Sequence, residues 1–339
     1  MILKNNQLNE RFKKFKDSFL GNNFKFGKYW EKEKNTFNVN FEDGNFYSTG
    51  SRNYLPTIFN ENFLDKELIL LDGKKFIKLG EKKLCTLKTK GSKHLLHTHH
   101  YFSEINSFIN YDDICVEVGS GSGLLQFFIH YNKNTVNIFI DLPESIQTSI
   151  ALCFTLFPHS KILLPNEIDN KYLNIKDYDF IFLFPNQKHL IKESSVDLCV
   201  NTLSFMEMDI SEVNNYLRYF NSILKLDGHC FLSNRIVKRT YFFDYNFKNL
   251  SFEKIYLKKN KFYYQKNNYL KSSILDLLLQ KKRDGNFSFN LLDYVFGIFK
   301  LKQWEFLFWS KFILMKTILY PFVKIKKLLN TDKTKDKIN

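Results

Sequence analysis

The chain has 339 residues, 44% of them hydrophobic, with 37 Phe and 18 Tyr, which is enough apolar material for a large core and excludes a generally disordered chain. Its formal net charge is +15, yet only six of its fifty basic residues are arginine (Arg11, Arg52, Arg218, Arg235, Arg239 and Arg283), the side chain best shaped to read phosphates and bases. Abundant Lys, Asn, Ile, Phe and Tyr beside scarce Gly, Pro and Arg match the codon bias of an AT-rich genome, so nucleic acid is not the favoured partner.

The N-terminus, MILKNNQLNERFKKF, has no apolar signal-peptide core, and the five cysteines (Cys85, Cys115, Cys153, Cys199, Cys230) contain no C-x-x-C pair, so a reducing, cytoplasmic setting is expected. Residues 1–100, rich in Phe, Asn and Lys, are expected to form a separate cap or lid. Near their end stands HLLHTHHYF, with His94, His97, His99 and His100; histidine titrates near neutral pH and suits proton transfer. Residues 101–266 alternate strand-like and helical runs, the pattern of a doubly wound sheet. ICVEV is the first strand and VNIFI the second, with Pro143 placed to open a helix. KILLP is expected as the third strand, VDLCVNTLSF as the fourth and HCFLSN, after a turn at Leu226–Asp227–Gly228, as the fifth. SFEKIYLK and KFYYQK would make an antiparallel hairpin. Residues 267–339 read as a helical extension. Within it the segment from Gln303 to Leu329 is strongly apolar but interrupted by Lys311 and Lys316, too short for a span and suited either to a membrane interface or to a protein-facing helix.

The chemistry concentrates between Ile114 and Glu144. Gly119, Gly121 and Gly123 follow the first strand on alternate positions, where they allow a sharp turn and close backbone approach to a ligand, and Asp141 at the tip of the second strand can hold a ribose hydroxyl. A dinucleotide fingerprint needs its third glycine at the position of Leu124. What stands there instead, E-x-G-x-G-x-G beginning at Glu117, resembles motif I of class I S-adenosylmethionine (SAM) methyltransferases.

Together VEVGSGSG, IDLPESIQTS, FIFLFPNQ, VDLCVNTLSFMEM and FLSN resemble a bacterial family of sugar O-methyltransferases, over about 125 residues of the 339. The resemblance implies a Rossmann-like class I methyltransferase sheet, mostly parallel with helices on both faces, between an N-terminal cap and a helical C-terminal extension. It implies SAM as cofactor and a sugar, sugar-nucleotide or lipid-linked glycan as acceptor, in surface polysaccharide synthesis, in the cytoplasm or at the inner membrane face. A homo-oligomer is compatible with it. In this setting Glu117 would act near the cofactor's amino-acid end or order the loop, Asp141 would bind the ribose, Leu142 would pack near the adenine, and Asn186 and Gln187 would approach the adenine edge. Asn201, Ser204 and Asn234, at strand tips, would bond cofactor or acceptor.

A sugar hydroxyl needs a base or a metal. Glu207, after the fourth strand, is the first candidate base, and His97 and His100 are the next. The two histidines, with Glu207 or Asp209, could also hold a divalent ion, although the spacing matches no definite ligand signature. The competing readings are an RNA or protein methyltransferase, against which NTLS stands where a D/N-P-P-Y-type motif would be, and a methyltransferase-like binding protein without activity.

Overall fold

The structure is a computed structural model and describes residues 2–19, 39–42, 45–48, 58–59, 90–169, 173–260, 274–290 and 293. In chain order its helices are α1 (Ile2–Phe19), α2 (Lys90–Ile105), α3 (Leu124–Lys133), α4 (Pro143–Leu156) and α5 (Ile210–Ile223). The strands are β1 (Val39–Glu42), β2 (Asn45–Ser48), β3 (Ile58–Phe59), β4 (Ile114–Val118), β5 (Val136–Ile140), β6 (Ile162–Leu163), β7 (Phe180–Leu183), β8 (Val196–Thr202), β9 (Leu224–Arg235), β10 (Phe252–Lys259) and β11 (Ile274–Lys281).

The first three strands form a small antiparallel sheet, and the other eight form one large sheet in the order β10-β11-β9-β8-β4-β5-β7-β6. Every neighbouring pair from β9 to β6 is parallel, and β11 is antiparallel to both β9 and β10. Parallel strands buried on both faces need near-continuous apolar sequence, and β4 and β7 are buried along their whole length. From β4 the chain winds outward through β5 and then returns to β8, so the strand order reverses between β4 and β8. In open α/β sheets the crevice at such a reversal is where ligands bind.

Helices α1 to α4 cover one face and α5 the other. Val213, Leu217 and Phe220 of α5 repeat at helical spacing and bury against Val116, Val118 and Cys199. On the opposite face Tyr101, Ile105, Leu125 and Ile129 pack on Cys115, Leu198, Val200 and Phe231. Asn134 ends α3 at φ +50, a left-handed conformation that asparagine tolerates, with its N–H on the His130 carbonyl at 2.7 Å. The four described cysteines are all buried and free, and burial pushes their thiols up in pKa, which leaves them unreactive.

Several sequence expectations change. KILLP supplies a two-residue strand at the sheet's outer edge, and the place beside β5 belongs to β7. The partner of β10 is β11, not KFYYQK, which lies outside the described residues. Since β11 sits between β9 and β10, the sheet continues past residue 266, the expected end of the core. Leu226–Asp227–Gly228 lies inside β9, with Asp227 at φ +63 and a register irregularity against β8.

The described N-terminal residues do not form a detached unit. Phe12 and Phe15 of α1 bury among Phe154 and Phe184, and Arg11 makes a two-pronged pair with Glu167 at 2.7 Å while donating to the Ile162 carbonyl at 2.8 Å. This pair is partly exposed and contributes little by itself; the phenylalanines hold α1 to α4. The segment from Gln303 to Leu329 lies outside the described residues. Among the described ones no helix is long and apolar enough to cross a membrane.

Candidate functional site

The glycine loop joins β4 to α3 at the crevice. Gly119, Gly121 and Gly123 have φ of +70°, +56° and +73°, in the left-handed region where a Cβ is costly. Their surroundings differ. A Cβ on Gly119 would lie 2.0 Å from the Ser204 hydroxyl and one on Gly123 2.6 Å from the Phe139 ring, whereas a Cβ on Gly121 would meet nothing within 4 Å. Gly119 and Gly123 serve packing, and Gly121 faces open space, as a residue over which a ligand passes should. Gly121→Ala is therefore expected to fold with a modest loss of stability and to lose most ligand affinity, while Gly119→Ala should destabilise the protein itself; thermal melts with and without ligand separate the two.

Asp141 fixes this loop. Its carboxylate accepts from the Gly121 N–H at 2.7 Å and from the Leu142 N–H at 2.7 Å. Helix α4 then begins with Leu142 as its N-cap residue and Pro143 in its first turn. Burial, only partly offset by the Gly121 and Leu142 N–H groups and reinforced by Glu207 and Glu144 nearby, raises the Asp141 pKa to about 7. Glu117, 1% exposed in β4, is raised to about 8, again chiefly by burial, with Asp141 adding to it. Its Oε1 accepts from the Thr202 hydroxyl at 3.0 Å, while its Oε2 has no hydrogen-bond partner among the described residues. A side-chain hydrogen bond from Gln126 favours the charged form of Glu117, and Ser120 and Ser145 carry further buried hydroxyls without a partner among the described residues. Such groups cost about 1–3 kcal/mol each when left unmet. Glu117 precedes the glycine loop, Ser120 lies in it, and Ser145 lies in the first turn of the helix that follows Asp141. The raised pKa values mark carboxylates whose charged forms lack compensation, which a cationic group beside them would supply.

The tips of β4, β8 and β9 are tied to one another by amide side chains. Asn201 donates to the Val118 carbonyl at 2.8 Å and accepts from the Phe205 N–H at 3.2 Å and from Asn234 at 2.9 Å; Asn234 accepts from the Met206 N–H at 3.3 Å. Ser204 donates to the Val118 carbonyl at 3.2 Å. Asn201, Ser204 and Asn234 thus spend their polar atoms on the protein, and Asn201, expected to touch the cofactor, is a fully buried brace. Gln187 is likewise internal, accepting from the Phe184 N–H at 2.9 Å and donating to the Pro165 carbonyl at 2.9 Å. At Asn186 it is the backbone carbonyl that is engaged, by His189.

The expected catalytic residues fall in two places. Glu207 forms an ion pair with Lys238, and Asp209 pairs with Arg239 at 2.7 Å. His97 and His100 stand on α2, across the opposite face of the sheet. The His100 ring, 3% exposed, places Nε2 2.8 Å from Asp276 Oδ2 and Nδ1 3.7 Å from Glu104. Asp276 is fully buried and also accepts from Ser233 at 2.5 Å and Asn260 at 3.2 Å. The histidines and Glu207 therefore do not form a metal centre together, and no group of three or more His, Cys, Asp or Glu among the described residues could hold a metal. His97 is half-buried and lies one turn before Tyr101, against whose ring it stands at 6.5 Å. Tyr101 packs on Phe231, two residues before Ser233. His97 thus stands on α2 one turn nearer its N-terminus than the Tyr101 that packs on β9. Sequence reasoning misses the Asp276 network, which joins residues 176 apart. It also misses Gln126, which reads there as one polar residue in an apolar helix.

No known family profile matches the chain, and no curated protein matches it. Solved structures do share its layout. The geranyl diphosphate C-methyltransferase from Streptomyces coelicolor A3(2), solved with S-adenosyl-L-homocysteine, is 10% identical, over 63% of this chain and 87% of that one, with a TM-score of 0.41. The YcgJ protein from Bacillus subtilis is 12% identical, over 56% of this chain and all (100%) of that one, with a TM-score of 0.39. A chain from the complex of the Haloferax volcanii Trm112 methyltransferase activator with a methyltransferase is 12% identical, over 56% and 93%, with a TM-score of 0.37. At these values the likeness carries nothing about acceptor or partner.

Proposed function

We propose that the chain is a SAM-dependent O-methyltransferase acting on a sugar hydroxyl. One observation carries the cofactor: a glycine loop with room above Gly121 is ringed by Glu117 and Asp141, with Glu144 and Glu207 nearby. A dinucleotide would bring an anionic pyrophosphate into this acidic crevice, whereas SAM brings an ammonium and a sulfonium. The sulfonium supplies an electrophilic methyl group. Glu117 would pair with the ammonium, and Asp141, already holding the loop, would accept from the ribose. The support for a sugar acceptor is the resemblance of DLPE after β5 and NTLSFMEM from the end of β8.

The chain's own task is then to align the acceptor oxygen and take its proton. Alignment alone contributes several kcal/mol to such a step. Glu207 would first have to leave Lys238, and His100 is held between two carboxylates, so His97 becomes the preferred base. Calorimetric titration with SAM and, separately, NAD tests the cofactor: micromolar SAM binding and no NAD binding is expected, and the reverse overturns the reading. In a methyl-transfer assay over a panel of sugar-nucleotides, His97→Gln should keep SAM affinity and lower turnover by about 100-fold or more. Unchanged turnover would remove His97 as the base, and an active protein that methylates only RNA or peptide would replace the sugar reading.

A further inference from the structure

We propose that the acceptor carries a phosphate group, held beyond the tip of β9 by Lys238 and Arg239. The inference rests on the methyltransferase reading above and adds to it the charge of the substrate and the residues that read it.

From the last residue of β9 the chain runs Arg235, Ile236, Val237, Lys238, Arg239, so two of its six arginines fall within five residues. Lysine is background in this composition, but arginine is scarce, and its planar fork suits phosphate oxygens. The segment is braced along its backbone. Val237 and Tyr241 form an antiparallel bridge, and the Phe242 N–H donates to the Ile236 carbonyl at 3.0 Å. The Arg239 N–H donates to the Met206 carbonyl at 3.1 Å, and the hydroxyl of the buried Thr240 donates to the Phe205 carbonyl at 3.1 Å. Lys238 and Arg239 are thereby set against the turn Phe205–Glu207, at the carboxyl edge of β8 and β9.

Their acidic partners follow β8: Glu207 pairs with Lys238, and Asp209 with Arg239. Glu207 also lies close enough to Asp141 to act on its pKa, so these bases border the cofactor crevice. The Arg239 and Asp209 side chains are 28% and 56% exposed, so water screens their attraction and an anion can take the place of the carboxylate. Arg239 meets Asp209 through one amino group, and a guanidinium has five N–H donors. A neutral sugar gains little from two cationic side chains, whereas a phosphate gains charge-assisted hydrogen bonds from both. Sugar phosphates and sugar nucleotides share that group.

The test is calorimetric, on the full chain loaded with S-adenosylhomocysteine, with inorganic phosphate and pyrophosphate as probes at constant ionic strength. Wild type should bind at least one of them; preference for phosphate points to a sugar phosphate, and preference for pyrophosphate to a sugar nucleotide. Arg239→Gln should weaken that binding about 10- to 100-fold with S-adenosylhomocysteine affinity unchanged. Asp209→Asn, which keeps a good N-cap residue for α5, should strengthen it about two- to fivefold by removing the competing carboxylate. A merely structural ion pair gives no gain of anion affinity in Asp209→Asn. That result, or wild type that binds S-adenosylhomocysteine but neither anion, overturns the proposal. If Arg239→Gln does not fold, Asp209→Asn decides, because Asp209 is exposed. Wild type that does not bind S-adenosylhomocysteine fails at the earlier step, the cofactor reading itself.

Discussion

Asp276→Ala is expected to lower the stability of the protein by about 3–5 kcal/mol, because it removes the buried acceptor shared by several hydrogen bonds. The buried Asp276 carboxylate takes hydrogen bonds from His100, Ser233 and Asn260, and thereby links α2, β9, β11 and the chain after β10. Without it His100 faces Glu104 at 3.7 Å, and the Ser233 hydroxyl and Asn260 amide lose a shared acceptor. Domains as a class are stable by about 5–15 kcal/mol, so the loss would be a large fraction of the total. Urea unfolding should show a lower midpoint at an unchanged slope. Asp276→Asn, which keeps the shape and one acceptor, should fall in between. A loss below about 1 kcal/mol for Asp276→Ala would mean that α2 is held by its apolar face alone.

The other large effect is on pH. In the ligand-free protein Glu117 and Asp141 hold their protons up to about pH 8 and 7, and a cationic cofactor needs them ionised. Binding must then release protons, so SAM affinity rises with pH. Below about pH 7 two protons are released, and the affinity gains up to about 100-fold per pH unit; between the two pKa values one proton is released, giving up to about tenfold, and above pH 8 the dependence ends. Folding stability runs the other way. Both folded pKa values are raised, so between the ordinary carboxylate range and pH 7–8 the native state binds more protons than the unfolded chain, and stability falls as pH rises through that window. The ligand-free melting temperature should therefore decline from pH 5 to pH 8 in this respect while the SAM-induced increase grows. Titrations in two buffers of different ionisation heat measure the released protons directly. Glu117→Gln should abolish the step near pH 8; an unchanged pH profile in that variant would remove Glu117 from the cofactor's contacts.

The parts of this architecture legible in the sequence are those written locally. Gly119 to Gly123 with Asp141 form a short-range pattern, and β4, β5 and β8 are mainly apolar runs with helical periodicity between them. Strand order is not local: KILLP and FIFLF read alike, and which becomes the edge depends on α1 and α4 packing around them. The β10–β11 pairing spans 261–273, and a nearer run of aromatic residues reads as the better partner. For the base, Glu207 is a reasonable choice from its place after β8, but the claim of Lys238 on it arises only when the chain returns after β9. Histidines three residues apart on one helix are equivalent in sequence. The packing separates them, setting His100 against Asp276 and His97 against the Tyr101 ring.

The position of β11 has a consequence for how the molecule is made. It slots between two strands that precede it in the chain, so β10 has no edge to join until residue 281 has been synthesised. His100 waits equally long for Asp276. The cofactor crevice, by contrast, is complete in sequence once β8 has been made. A nascent chain would thus own its glycine loop well before the wall carrying His97 is secured, and cofactor present during translation could hold the half-finished sheet together until the last strand arrives.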